Sequence, residues 1–164
     1  MIRVKDNKTS LDFYQNTMGM QLLRTSENEN AGFNLYFLAY PSDNGSLNTD
    51  HVTAGKEGVL ELTWNYGTEK DSDFKYHNGN AEPQGFGHIC VAGKSSGRSL
   101  LFSYADLSTV DDIEAACQRW EDKGVRWKKR MTDGKMRNIA FLLDPDDYWI
   151  EVVQNERLKP TGAW

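Results

Sequence analysis

The 164-residue chain carries the same order of predicted secondary structure twice, and this repeat restricts its fold more than any other feature. In the first half, Leu11, Tyr14 and Met18 recur at helical spacing before Gly19, which predicts an amphipathic helix that ends at the glycine. The other segments are short apolar runs typical of strands. The predicted elements are a strand at 1–5, a helix at 10–18 and strands at 20–25, 33–40 and 59–64.

The second half repeats this order. Ile113, Ala116, Cys117 and Trp120 share one face of a predicted helix that ends at Gly124. Strands are predicted at 87–91, 125–127, 138–143 and 148–153, with a turn at 144–147 between the last two. Both halves therefore read β-α-β-β-β. The order predicts an α+β protein of two βαβββ modules, at 1–84 and 85–164.

Three segments interrupt the modules. Residues 41–57 are polar and rich in Gly, Asn and Ser, which predicts a surface loop, and 67–84 forms a linker. Residues 93–109 are far longer than the usual strand-to-helix connection of about 2–6 residues. Two explanations stay open for this insertion: a lineage-specific surface loop, or a short in-frame intron left in the gene model.

Charge and cysteine content exclude several classes of partner. The net charge of −5 gives no general attraction to nucleic acid or to an anionic membrane surface. No apolar run approaches the length of about 18 residues that a membrane span needs. The two cysteines, Cys90 and Cys117, lie within apolar patterns and are expected to be reduced core residues of a cytoplasmic protein.

Two glutamates occupy equivalent strands of the repeat. Glu61 and Glu151 each stand among apolar neighbours, and an isolated buried carboxylate needs a cation or a hydrogen-bond network. His88 begins the first strand of the second half. Together they suit a divalent cation, with imidazole favouring Zn, Ni, Mn or Fe over Mg or Ca. The alternatives are glutamates in solvent on edge strands and a structural histidine.

Longer strings around these residues are more specific. Leu-Glu-Leu-Thr-Trp-Asn-Tyr-Gly-Thr-Glu at 60–69, Tyr-His-Asn-Gly-Asn at 76–80 and Gly-Phe-Gly-His-Ile at 85–89 resemble the glyoxalase I (lactoylglutathione lyase) family. The likeness continues through Asp-Gly-Lys-Met at 133–136 and Tyr-Trp-Ile-Glu at 148–151. It covers nearly the whole chain apart from 93–109. The family has the vicinal oxygen chelate fold, in which mixed sheets of paired βαβββ modules curve around a metal site.

This resemblance implies an activity and a set of site residues. The family isomerises the hemithioacetal of methylglyoxal and glutathione to S-lactoylglutathione, by metal-assisted proton transfer through an enediolate. Carried over, Glu61, His88 and Glu151 match metal ligands, and Glu151 also matches the catalytic base. The implied metal is zinc, with nickel or another divalent ion as the alternative.

The resemblance also implies partners. The residues that match glutathione-binding positions are Arg3, Asn65, Lys129, Lys135 and Met136. A solvated strand face is the alternative explanation for the basic run around Lys129. Members with a single pair of modules form homodimers whose sites lie at the subunit interface, which would combine Glu61 of one chain with His88 and Glu151 of the other.

Four departures from the family pattern affect these expectations. The family's glutamine ligand falls before Met1, from which we expect weaker metal binding and lower activity. Gln84 stands where an arginine for a glutathione carboxylate is common, so the affinity for glutathione is expected to fall. Trp64 replaces a histidine. Asp147 replaces a turn glycine, and Asp tolerates a left-handed backbone better than most residues.

Other functions of the same fold are weaker alternatives. An extradiol dioxygenase needs two histidines and one carboxylate around iron, and neither His51 nor His77 lies on a strand that ends a module. A metal-poor or inactive ligand-binding protein is the main alternative, against which the presence of Glu61, His88 and Glu151 together argues. A third is an inactive product of a faulty gene model.

Overall fold

The computed structural model describes residues 1–40, 58–92 and 113–153. The loop predicted at 41–57 and the insertion predicted at 93–109 lie outside the described residues. The chain divides into two compact units, the first from Met1 to Tyr76 and the second beginning at His77. Among the described residues no helix is long and apolar enough to span a membrane.

The first unit is a four-stranded mixed sheet with one short helix. The elements are β1 (Ile2–Val4), α1 (Asn7–Asp12), a π-helical segment (Phe13–Thr17), β2 (Gln21–Asn28), β3 (Phe33–Ala39) and β4 (Leu60–Asn65), with 3-10 turns at Glu29–Ala31 and Thr68–Lys70. Strand β4 pairs in parallel with β1 and antiparallel with β3, and β2 lies at the other edge, giving the order β1-β4-β3-β2.

Helix α1 begins three residues earlier than the apolar spacing predicts. Asp6 precedes it in extended backbone, and its carboxylate accepts hydrogen bonds from the backbone N–H groups of Lys8 (2.9 Å) and Thr9 (3.4 Å). This side-chain cap satisfies donors that have no partner within the helix, so it fixes where the helix begins. The predicted inner face is confirmed at Tyr14 and Met18, which are both buried.

The two faces of the first sheet differ in character. Val4, Leu38 and Leu62 are fully buried on one face and form the core of the unit. Side chains alternate along a strand, so Glu61 and Thr63 point to the opposite face of β4. The sequence thus places polar groups on one side of a sheet whose other side is apolar.

The second unit repeats this topology. Its elements are β5 (His88–Ala92), α2 (Ile113–Asp122), β6 (Trp127–Lys129), β7 (Ile139–Leu143) and β8 (Trp149–Val153). Their strand order is β5-β8-β7-β6, with β5 parallel to β8 and β7 antiparallel to both β8 and β6. The βαβββ order predicted for both halves is therefore confirmed.

The helix of the second unit buries the face that the spacing predicts. Ile113, Ala116 and Trp120 are buried, and Gly124 follows the helix with a φ of 68°. Strand β6 begins later than the predicted 125–127, because the N–H of Val125 bonds to Trp120 O at 3.0 Å and closes the end of the helix. Val125 and Arg126 therefore belong to the connection between α2 and β6, and the strand begins at Trp127.

The turn that leads into β8 is built around a buried carboxylate. Asp144 is fully buried, and its Oδ1 accepts hydrogen bonds of 2.9 Å from the N–H groups of Asp146 and Tyr148. Asp147 has a φ of 67°, the left-handed conformation that its place in the turn suggests. The side chain of Asp147 also forms an ion pair with Arg126. These bonds fix the direction in which β8 begins.

Candidate functional site

Two of the predicted ligands meet on the second sheet. His88 begins β5 and Glu151 lies in the middle of β8, the strand that runs parallel beside it. Nε2 of His88 lies 2.9 Å from Oε2 of Glu151, and the Glu151 side chain is 18% exposed against 41% for His88. Parallel pairing therefore joins an imidazole and a carboxylate that are distant in the sequence.

Aromatic side chains border this pair. The ring of Phe141 lies edge-on to the His88 ring at 5.6 Å and to the Trp149 ring at 5.9 Å. Phe141 is also the cross-strand partner of Glu151, so the apolar rings and the pair share one face of the sheet. An apolar border reduces the solvation of the carboxylate and strengthens its hydrogen bond with the imidazole.

Cys90 corrects an expectation from the sequence. It was predicted to be a core residue, but it is exposed, because it lies two positions after His88 and therefore on the same face of β5. Its register partner on β8 is Glu151. Partial desolvation of the sulfur atom, followed by the charge of Glu151 and a hydrogen bond to it, raises the pKa of the Cys90 thiol to about 11. The thiol is therefore protonated near neutral pH and lies beside the candidate base.

Glu61, the third predicted ligand, belongs to the first unit. It is half-buried on β4 and pairs across the sheet with Phe37. Thr63 follows on the same face, is 5% exposed, and has a hydroxyl without a hydrogen-bond partner among the described residues. Thr63 is not among the residues predicted for the site, although its spacing of two from Glu61 places both on one face.

Two of the predicted glutathione-binding residues contact each other on the first unit. Arg3 Nη1 donates to Asn65 Oδ1 at 3.4 Å, and Asn65 Nδ2 donates to the hydroxyl oxygen of Tyr76 at 2.7 Å. Arg3 is exposed while Asn65 is half-buried. The amide thus orients a guanidinium group that keeps donors available for an external carboxylate.

Two more of these residues meet on the second unit. Lys129 Nζ donates to the carbonyl oxygens of Arg130 (3.1 Å), Met136 (2.6 Å) and Ile139 (3.0 Å). Lys135 and Met136 are exposed on the loop that these bonds hold, Met136 to 56%. The contacts make Lys129 a support of the loop between β6 and β7.

The neighbouring basic residues have partners of other kinds. Arg130 Nη2 lies 2.9 Å from a carboxylate oxygen of Glu121, and the Lys128 ammonium lies 4.7 Å from the centre of the Trp149 ring. An ion pair and a cation–π contact thus engage part of the basic run. Lys135 is left exposed on the loop between β6 and β7.

The imidazole and carboxylate donors of the second unit suit a metal ion of intermediate softness, such as Zn²⁺ or Ni²⁺. One imidazole nitrogen and one carboxylate oxygen within hydrogen-bond distance are ligand types that Zn and Ni accept. Across the described residues, however, no group of three His, Cys, Asp or Glu side chains lies close enough to hold a metal ion. The pair therefore fits part of a metal site.

Comparison with known families shows which superfamily has this arrangement of modules. The model of the Glyoxalase/Bleomycin resistance protein/Dioxygenase superfamily matches residues 1–152. The chain belongs to this superfamily. The match spans both βαβββ units, so the paired modules are those of the glyoxalase superfamily fold, and the predicted fold class and family resemblance are confirmed.

Relatives within the superfamily are similar over most of this chain. Glyoxalase I of Saccharomyces cerevisiae is 49% identical over 156 residues, which are 93% of this chain and 41% of that protein. Lactoylglutathione lyase of Pseudomonas putida is 43% identical over 160 residues, 94% of this chain and 82% of that protein. The crystal structure of glyoxalase I from Zea mays matches with a TM-score of 0.61 and 25% identity, covering 94% of this chain and 43% of that one. The chain thus spans less than half the length of the yeast and maize proteins.

Proposed function

We propose that this chain is a lactoylglutathione lyase, which isomerises the hemithioacetal of methylglyoxal and glutathione to S-lactoylglutathione. The names of its relatives and its superfamily support this reaction. The observation that carries the proposal is the pairing of His88 with Glu151 at 2.9 Å beside an apolar wall. It places a ligand-type imidazole next to a carboxylate that can accept a proton.

A divalent cation completes the proposed site. The donors that would hold it are Glu61, His88 and Glu151, the set that the family resemblance implies. Zinc is the proposed ion, with nickel or another divalent metal as the alternative, since imidazole and carboxylate together suit these ions. When bound, such an ion supplies Lewis-acid stabilisation of the negative charge that develops on the substrate oxygens.

Glu151 is the proposed base. Its carboxylate would take the proton from the carbon that bears sulfur and return it to the neighbouring carbon. Its position on β8 suits this transfer, because the surrounding strands fix it and its side chain is only 18% exposed. Phe141 and Trp149 on the same face reduce access of water, which would otherwise exchange with the transferred proton.

The glutathione part of the substrate needs cationic and polar groups. We assign Arg3 and Asn65 of the first unit to one end of the peptide, because the guanidinium group is exposed and already oriented by the amide. Lys135 supplies a charge on the second unit, and Lys129 fixes the loop that presents it and Met136. Carboxylates of glutathione are matched by these cations.

We further propose that the active form is a homodimer in the cytoplasm. The subunit interface would combine Glu61 of one chain with His88 and Glu151 of the other, as the family resemblance implies. Glutathione maintains a reducing cytoplasm, and the two cysteines are free thiols, which agrees with that location.

The test is an assay of the purified chain with the hemithioacetal. The chain is first treated with a chelator, and thioester formation is then followed by ultraviolet absorbance after addition of Zn²⁺, Ni²⁺ or no metal. We expect activity only with metal, and a loss of about three orders of magnitude or more in Glu151→Gln.

The matched control is Glu121→Gln, which removes a carboxylate that pairs with Arg130 on the surface. This variant should retain the activity of the unsubstituted chain. Absence of product with every metal would refute the lyase proposal and favour a ligand-binding member of the superfamily. Equal activity of Glu151→Gln and the unsubstituted chain would refute Glu151 as the base.

A further inference from the structure

Residues 78–80, which we call the Asn-Gly-Asn loop, contact the beginnings of both strands that carry the His88–Glu151 pair. The side-chain amide of Asn80 donates to the carbonyl oxygen of Gly87, the residue directly before His88. The amide of Asn78 donates to Asp147 O at 3.1 Å, just before β8 begins. One short loop is thus bonded to the entry of β5 and to the entry of β8.

The loop is itself held in one shape. Asn78 Oδ1 accepts hydrogen bonds from the N–H groups of Asn80 (2.9 Å) and Ala81 (3.1 Å), which closes a turn over the loop. The N–H of Gly85 donates to Gly79 O at 2.9 Å and joins the loop to the segment that precedes β5. A loop fixed at this many points transmits its position to the strands that it contacts.

Gly79 is the residue that permits the close approach. It is buried and has a φ of 85°, a conformation that favours glycine. A Cβ atom at this position would lie 1.9 Å from the carbonyl oxygen of Phe86, which is backbone and cannot rotate away. Any other residue at 79 must therefore displace Phe86 and, with it, the entry of β5.

We infer that the Asn-Gly-Asn loop is a positioning device, which holds His88 at hydrogen-bond distance from Glu151 and thereby sets the metal affinity of the pair. The inference rests on the proposed function, in which both side chains bind metal. Its physical basis is that a ligand's affinity depends on its orientation before the metal arrives, and groups that orient ligands change affinity by about 10- to 100-fold. The loop residues themselves are positioning residues and are not assigned any contact with substrate.

Gly79→Ala and Gly67→Ala form a matched pair for the test. Gly67 has nearly the same backbone conformation, with a φ of 87°, but a Cβ there meets no atom within 4 Å. Both substitutions therefore carry the cost of a left-handed alanine, and only Gly79→Ala adds the clash with Phe86. Differences between the two variants report the clash alone.

The first readout is Co²⁺ titration of the unsubstituted chain and of each variant, followed by the visible absorption of the bound ion. We expect Gly79→Ala to weaken Co²⁺ binding at least about tenfold, and Gly67→Ala to leave it within about twofold. The second readout needs no metal. It is the NMR chemical shift of the His88 imidazole, assigned with His88→Gln, which should move toward that of a free imidazole only in Gly79→Ala.

Asn80→Ala serves if Gly79→Ala does not fold. It removes the bond to Gly87 without adding an atom, and it should weaken Co²⁺ binding and shift the His88 resonance in the same direction. Asn16→Ala is its control, because Asn16 makes a comparable side-chain bond to Asp12 within the first unit, whereas the strands concerned belong to the second. This control should leave both readouts unchanged.

The outcomes separate the inference from the proposed function. If the unsubstituted chain shows no Co²⁺ binding while the His88 shift still responds to Gly79→Ala, the metal site is refuted and the positioning of His88 by the loop is supported. If Co²⁺ binds and both readouts are equal in Gly79→Ala, Gly67→Ala and the unsubstituted chain, the inference is overturned and the proposed metal site remains.

Discussion

Lys129 donates a hydrogen bond of 2.6 Å to the carbonyl oxygen of Met136, so two residues predicted to bind glutathione hold each other in place. The same ammonium group donates to the carbonyls of Arg130 and Ile139, at the two ends of the loop between β6 and β7. A single cation therefore closes the loop that presents Lys135. The loop's shape and the proposed binding of a carboxylate both depend on this side chain.

Replacing Lys129 should affect stability and substrate binding together. Lys129→Met keeps an unbranched side chain of nearly the same length but removes three charge-assisted hydrogen bonds. We expect the free energy of unfolding, measured by urea denaturation, to fall by about 1–3 kcal/mol. In the lyase assay KM should rise several-fold with a smaller change in kcat, because the loop is proposed to bind the peptide part of the substrate and not the reacting carbon.

Lys128→Met is the control for this prediction. Lys128 contacts the face of the Trp149 ring, an exposed cation–π interaction of about 0.5–1 kcal/mol. Its removal should leave KM nearly unchanged. Equal effects of both substitutions on KM would mean that Lys129 acts only through the general positive charge of the run.

The fold could be predicted from the sequence because each element has a clear period and the order of elements occurs twice. Helical spacing identified the buried faces around Tyr14 and Trp120, and alternation identified the strands. The residues at which the elements begin are set by capping hydrogen bonds and not by the apolar period. Asp6 begins the first helix earlier than the apolar residues indicate, and the capping bond from Val125 delays β6.

The site could be predicted only in part, because long-range pairing assembles it. No compact motif joins His88 to Glu151, and their contact depends on the parallel register of β5 and β8. The repeat and the family resemblance supplied what the spacing could not. The prediction that Cys90 is a core residue was wrong, because it was based on the apolar residues beside Cys90. A residue two positions from His88 shares the face of His88, and this alternation indicates the exposed position correctly.

Thr63 gives a prediction in which an isosteric substitution stabilises the fold. Its hydroxyl is buried without a partner in the described part of the chain, and such a group costs about 1–3 kcal/mol in desolvation. Thr63→Val replaces the hydroxyl by a methyl group of similar size. The free energy of unfolding from urea denaturation should therefore rise by about 1 kcal/mol.

Thr63→Ser tests the same reasoning, because here the free energy of unfolding is expected to fall and not to rise. It keeps the unpaired hydroxyl and removes a buried methyl group, so the free energy of unfolding should fall by about 1 kcal/mol. A loss of stability in Thr63→Val larger than that in Thr63→Ser would show that the hydroxyl has a stabilising partner in solution.

Asp144 should be among the residues most important for the stability of the second unit. Asp144→Ala would remove the carboxylate oxygen that accepts from the half-buried N–H of Asp146 and the buried N–H of Tyr148, and we expect a loss of about 2–4 kcal/mol in the free energy of unfolding. Asp144→Asn keeps an oxygen at the same position and should cost less than about half as much. Similar losses in both variants would indicate that the charge of Asp144 matters more than its acceptor geometry. Thermal unfolding followed by circular dichroism measures both.

The thiol of Cys117 should react slowly in the folded chain. Burial, then the negative charges of Glu121 and Glu114, raises the pKa of Cys117 from 9.0 to about 11. Because the folded state holds this proton more tightly than the unfolded state, the thiol stabilises the fold below pH 9, and that contribution is lost as the pH rises toward 11. The thiolate is the reactive form, so alkylation should be suppressed in the native chain.

Iodoacetamide labelling of the Cys90→Ala variant, in which Cys117 is the remaining thiol, measures this suppression by mass spectrometry. Near pH 8, native Cys117 should react at least about tenfold more slowly than in urea, since two pKa units reduce the thiolate fraction about 100-fold and the higher basicity of the thiolate recovers part of the rate. Adding Glu121→Gln removes one of the two charges and should increase the native rate. The expected pH profile places the rise in native labelling near pH 11, against about 9 for the unfolded chain. Coincident profiles for the native and unfolded chain would refute the protection of this thiol by its surroundings.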